Sequence, residues 1–164
     1  SPMHHMLGQF AVSADGRWMV GGGQISGELL VFDLAGEEPA LVRSLPVGGQ
    51  PWHPTWTPDG RFVWIPNQAA NTVSVIDAES WTVAEVISHP ALVEPHGTAI
   101  SRDGRTVWVS SHNVAGTYRP ADGSDRRPGT VVAIDAASRQ VVTVIEVGEY
   151  AAGMATAAVA PAQR

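Results

Sequence analysis

The chain has 164 residues, 44% of them apolar and 16% charged, with a formal net charge of −6, all ten basic residues arginine and no cysteine. That composition predicts a soluble globular chain with one core, and it excludes disulfides, thiolate metal sites and a cysteine nucleophile. No apolar run approaches the roughly 18 residues that cross a bilayer, no signal-peptide pattern opens the sequence, and scattered arginines on an acidic chain argue against a nucleic-acid partner.

Taken in chain order, the elements repeat. The stretch "LGQFAVSADGRWMVGGGQ" reads as two strands around an Asp-Gly-Arg turn at Asp15, followed by the strand "ELLVFD" ending at Asp33. The same order returns 44 residues later, with a turn at Asp59 and "TVSVID" ending at Asp77. A third unit has its turn at Asp103, again 44 residues on, but "TVVAID" ends at Asp135, 58 residues after Asp77. Fourteen residues are therefore inserted within "VAGTYRPADGSDRRP". In this third unit the strands are expected at Thr98–Ser101, Arg105–Ser111, Thr130–Ala136 and Val141–Val147. After them, "TAAVAPAQR" opens a fourth unit.

Four short antiparallel strands at a period near 44 residues predict an all-β fold, a β-propeller of four-stranded blades, because one such sheet has two apolar faces that only neighbouring blades can cover. The chain divides as a single partial propeller over 1–164, with repeats at about 7–50, 51–94 and 95–152 and a first strand of a fourth at 153–164. Three blades and a strand do not close a ring. The expected partners are the remainder of a longer propeller chain or further subunits that complete the ring.

In an up-and-down blade, the connection between the second and third strands lies on the face opposite the Asp-Gly turns. His4, His5, His53, His89, His96 and His112 all fall on that face, and so does the insertion at 114–128, which carries Tyr118, Asp122, Asp125, Arg126 and Arg127. This makes it the expected functional face, with Trp52, His112 and those five insertion residues as candidates for ligand or partner binding. Innermost strands line the channel, so His4, His5, His53 and His96 are candidates for holding copper or haem iron, with Met3 and Met6 nearby. The histidines have two other readings, as blade hardware that hydrogen-bonds between repeats and as general acid–base groups. Trp18, Trp64 and Trp108 read as core, whereas Trp52 and Trp56 are the tryptophans expected near the channel. Asp15, Asp59 and Asp103 read as turn residues rather than catalytic carboxylates.

The segments "PHGTAISRDGRTVWVSS" and "NTVSVIDAESWTVAEVI" resemble the repeat of the YVTN-type, or YncE-like, β-propellers. The resemblance covers nearly the whole chain and implies the fold and an extracytoplasmic location. It implies less about function. Similar propellers carry the copper cluster of nitrous-oxide reductase and the d1 haem of nitrite reductase, so two function classes stay open: a binding or assembly module, and an extracytoplasmic oxidoreductase holding copper or haem. A lactonase-like hydrolase is a third, for which the expected face offers no cluster of acidic metal ligands.

Overall fold

The computed structural model describes residues 6–156, and over them the chain is all β, with three four-stranded antiparallel sheets. The first sheet is β1 (Leu7–Val12), β2 (Trp18–Gly23), β3 (Glu28–Asp33) and β4 (Ala40–Pro46). The second is β5 (Thr55–Trp56), β6 (Phe62–Asn67), β7 (Thr72–Asp77) and β8 (Thr82–Ser88). The third is β9 (Pro95–Ile100), β10 (Thr106–Ser111), β11 (Gly129–Asp135) and β12 (Val141–Val147). Strands pair in sequence order within each sheet, and β1, β5 and β9 meet as the innermost strands of adjacent blades. The three blades form an open arc, the architecture of a partial propeller.

The 44-residue period is carried by hydrogen bonds. Ahead of each Asp-Gly turn, the hydroxyl of Ser13, Thr57 or Ser101 donates to the carboxylate of Asp15, Asp59 or Asp103 at 2.5–2.6 Å, and the N–H of Arg17, Arg61 or Arg105 donates to the same carboxylate at 3.0–3.1 Å. The glycine of each turn has φ near +70°, which a side chain would resist. These bonds also hold the three carboxyls below their ordinary pKa. Replacing Asp59 by alanine is expected to cost about 1 kcal/mol, comparable to loss of a helix cap, and Asp59→Asn less because its amide oxygen still accepts from Arg61. Urea midpoints of the two variants check this order.

A second repeated feature is a bulge between the third and fourth strands, at Val31/Phe32, Val75/Ile76 and Ala133/Ile134. It adds twist at the outer edge of each blade. Two apolar cores lie between the blades. Val20, Leu29 and Val31 of the first blade meet Trp56, Val63, Ile65 and Ile76 of the second. Trp64, Val73 and Val75 of the second meet Ile100, Val107, Val109, Val132 and Ile134 of the third. Trp56, expected near the channel, is instead in the first of these cores, 8% exposed, with its indole N–H donating to the Ala11 carbonyl at 3.3 Å. Side chains on a strand alternate between the two faces of its sheet, and both faces of a blade look toward neighbouring blades.

On the side of the first blade turned away from the second, Phe10 is 67% and Val12 is 44% exposed. Val12 occupies the repeat position that Trp56 and Ile100 fill in the two cores. The strand expected at 153–164 falls largely outside the described residues. Up to Thr156 the chain runs beside the third blade, with the Ser110 hydroxyl donating to the Ala152 carbonyl and the Thr156 hydroxyl donating to the Ile100 carbonyl at 2.8 Å.

Candidate functional site

The site grows out of one turn used three times. Met6, Gln50 and Glu94 stand 44 residues apart just before each innermost strand, and all are left-handed, with φ of 46°, 52° and 53°. Their carbonyls accept the backbone N–H of Gln24, Gln68 and His112 at 3.2, 2.9 and 3.2 Å. Each of these three residues comes immediately after the second strand of its blade. The repeat therefore delivers Gln24, Gln68 and His112 to equivalent places at one end of successive blades.

Side chains then link across blades. The Trp52 indole N–H donates to Gln68 Oε1 at 2.8 Å, and Gln68 Nε2 stands 3.1 Å from His112 Nδ1. An indole N–H can only donate, so Gln68 Oε1 is the acceptor and its amide nitrogen is the donor to His112 Nδ1. His112 consequently carries its proton on Nε2. That Nε2–H is buried without a protein acceptor, and His96 Nδ1 is buried and unpartnered as well.

The same residues make a run of ring contacts. Trp52 and His96 have ring centroids 4.3 Å apart, His96 and His112 4.5 Å, and His112 and Tyr150 4.2 Å with planes only 15° from parallel. His53 joins from the side, 4.7 Å from His96. Burial holds the imidazoles of His53, His96 and His112 below their ordinary pKa, and His96, flanked by the other two, falls to about 4. Sequence reading placed Trp52, His53, His96 and His112 on one face, and the structure brings these four into contact. His89 stays apart, its Nδ1 accepting the Ala91 N–H at 3.1 Å.

The insertion is anchored from two directions. Asn113, left-handed at φ 56° and 1% exposed, donates from Nδ2 to the carbonyls of Tyr118 and Pro128 and accepts the Tyr118 N–H on Oδ1. The Glu94 carboxylate accepts the N–H groups of Val114 and Ala115. Farther along, Tyr118 donates its hydroxyl to Glu146 at 3.1 Å, and Arg126 pairs with Asp122 at 2.9 Å and Glu146 at 3.2 Å. Bonds from Ser124 and Arg126 hold the Asp122 carboxyl down to about 2. Tyr118, Asp122 and Arg126 are thus engaged in shaping the loop, whereas Asp125 and Arg127 are exposed.

Where the loop meets the aromatic stack there is a cleft of about 250 Å³ lined by His112, Asn113, Val114, Arg127, Glu149 and Tyr150. A larger cavity, about 670 Å³, lies between the first two blades around Met6, Gln24, Gly27, Gly48 and Gln50, with no charged residue among the described residues of its lining. Sequence reading missed Gln68, Glu149 and Tyr150. The signal for Gln68 was available, since it stands 44 residues before His112. Nothing local marks Glu149 or Tyr150.

Among the described residues, no three His, Cys, Asp or Glu side chains are grouped to hold a metal ion. Of the four histidines expected to do so, His53 and His96 are in ring contact with planes tilted by 48°, and His4 and His5 lie outside the described residues, as does Met3.

The fold is shared with solved structures. Hydrazine synthase from Kuenenia stuttgartiensis superposes with a TM-score of 0.72 at 22% identity, over 87% of this chain and 36% of that one. The periplasmic gluconolactonase of Pseudomonas aeruginosa superposes with a TM-score of 0.69 at 23% identity, over 92% of this chain and 42% of that one. The chain thus spans about two fifths of the length of these structures. No curated protein matches it in sequence. The profile of the YncE-like β-propellers matches residues 6–162, and with the repeated blades, turns and inter-blade cores on the same residues, the chain belongs to the YncE-like β-propeller family.

Proposed function

We propose that this YncE-like propeller segment is a binding module, and that its ligand or partner sits in the cleft between the aromatic stack and the 114–128 insertion. The observation that carries this reading is the cleft lined by His112, Arg127 and Tyr150, together with a buried Nε2–H on that same His112 that has no protein acceptor. A buried donor without a partner costs on the order of 1–3 kcal/mol, and a ligand acceptor would return it. In this reading Trp52 fixes Gln68 and so the His112 tautomer, while Tyr118, Asp122 and Arg126 hold the loop against β12. Asp125 and Arg127 present charge to an incoming partner.

Further blades, from a longer chain or from another subunit, would cover the Phe10 and Val12 face, which matches the surfaces buried inside the arc. Membership of the family and the likeness in fold to a periplasmic gluconolactonase support an extracytoplasmic location.

A thermal-shift screen of small metabolites tests the binding reading. At least one compound is expected to raise the melting temperature of the parent chain, and its effect is expected to vanish when residues 115–127 are replaced by a short Gly-Ser link or when His112 is changed to alanine. Equal shifts in the parent and in both variants would place the binding elsewhere and end the proposal.

A further inference from the structure

We propose that the cleft beside His112 takes a small zwitterion, a free α-amino acid, with its carboxylate on Arg127 and the His112 Nε2–H and its ammonium on Glu149 and the Tyr150 ring. This rests on the reading of the cleft as the binding site and adds the chemical class of its occupant. The first argument is charge. Arg127 and Glu149 line the same cleft, yet among the described residues neither forms an ion pair, whereas the adjacent Arg126 is paired twice. Two opposite charges that share a cleft without meeting each other match a ligand that carries both signs. A simple carboxylate would be repelled by Glu149, and a simple amine by Arg127.

The second argument is where the groups lie. Gly116 is left-handed, with φ +64°, and a Cβ there would stand 3.0 Å from both Cδ and Nε of Arg127. The arginine stem lies across the loop there, and a side chain at position 116 would crowd it. On the other wall His112 is 5% exposed, and its proton is fixed on Nε2 by the Trp52–Gln68 relay, which leaves a buried N–H without a protein acceptor, of the kind a carboxylate oxygen would satisfy. Tyr150 stacks one ring face on His112 and remains 64% exposed, which leaves aromatic surface for an ammonium group.

Size is the third argument. At about 250 Å³ the cleft is below the range of roughly 300–1,000 Å³ that holds drug-sized ligands. Val114, 53% exposed in the lining, gives a short apolar side chain a place to rest.

The test is isothermal titration calorimetry on the whole chain with L-alanine, L-leucine, propionate and ethylamine. Saturable binding of an amino acid is expected, with propionate and ethylamine weaker by about tenfold or more, the value of one charge-assisted contact. Arg127→Gln and Glu149→Gln should each weaken the amino acid by a similar factor at unchanged melting temperature. Propionate binding as well as L-alanine, with Glu149→Gln improving it, would overturn the zwitterion and leave the cleft a carboxylate site. If none of the four probes binds while a screening hit still depends on His112 and the loop, the amino-acid inference fails and the binding-module reading survives. Failure of both would remove the cleft from consideration.

Discussion

Replacing Trp64 by alanine is expected to destabilise the chain by about 3–5 kcal/mol, the range for deleting a large buried aromatic side chain. Trp64 is 1% exposed at the centre of the core between the second and third blades, surrounded by Val73, Val75, Leu92, Ile100, Val107 and Val109. No single blade can replace those contacts. The sheet that carries Trp64 has its other face against the first blade, so the void cannot close by a shift of β6 without opening the neighbouring core. The indole N–H is itself buried without an acceptor. Trp64→Phe removes that unpaired donor along with part of the volume, and its cost is expected to be much smaller, about 1 kcal/mol. Trp108 provides the internal control. It has the same position in the third repeat, facing away from the arc, and is only half-buried. Trp108→Ala should therefore cost clearly less than Trp64→Ala. Urea unfolding followed by circular dichroism measures all three, and equal losses at Trp64 and Trp108 would contradict the description of the inter-blade core.

Trp64 was readable as core for the same reason the fold was, whereas Trp108, read as core from the same period, is only half-buried because its face looks away from the arc. Val20, Trp64 and Trp108 recur at 44 residues, and a fixed period with Asp-Gly turns in register admits few architectures other than stacked four-stranded sheets. Strand edges were less legible. β9 begins at Pro95 rather than Thr98 because its pairing with β10 continues through a bulge to Ser111, and a bulge leaves no mark in the hydrophobic pattern. Trp56 shows the limit for side-chain direction, since it could face the axis or the next blade and a two-residue strand gives too short an alternation to choose.

The candidate site was half legible. His53, His96 and His112 were gathered by topology alone. Their contact with Trp52, and the way Gln68 fixes a tautomer, depend on distances that no spacing encodes. The insertion could be located by its length, but the engagement of Tyr118, Asp122 and Arg126 within the loop, against the freedom of Arg127, is decided by partners such as Glu146 that come about 20 residues later. Tyr150 could not be found because it meets His112 through space, 38 residues away in sequence.

The stacked histidines make the second large prediction, a loss of stability on mild acidification. His96 falls from an ordinary value of 6.5 to about 4, first because of burial and then because His112 and His53 stand beside it, with the Ala152 backbone opposing slightly. His53 and His112 are lowered in the same direction by burial, and the Glu94 carboxylate, nearest to His112, works against it. Between pH 6.5 and about 4 the unfolded chain binds a proton on residue 96 that the folded chain does not, so folding stability is full above pH 6.5 and declines as pH falls towards 4. For His96 alone the gap sets a ceiling of about 3–4 kcal/mol, which solvent screening of the partly exposed ring reduces. Below pH 4 this contribution levels off, because the folded chain also takes up the proton, and loss then passes to the turn carboxylates Asp15, Asp59 and Asp103, whose pKa values are held below 3.8. His96→Gln removes the titrating group while keeping a polar side chain, and it should flatten most of the decline between pH 6.5 and 4 while leaving the decline below pH 4 in place. Melting temperatures recorded from pH 8 to pH 3 for both chains decide it: parallel curves across the upper window would show that His96 is protonated as readily in the folded chain as in the unfolded one. A difference confined to that window would mean that the imidazole stack stays neutral at the expense of acid stability, and that any ligand acceptor reaching the His112 Nε2–H binds a histidine that is already in its donor tautomer.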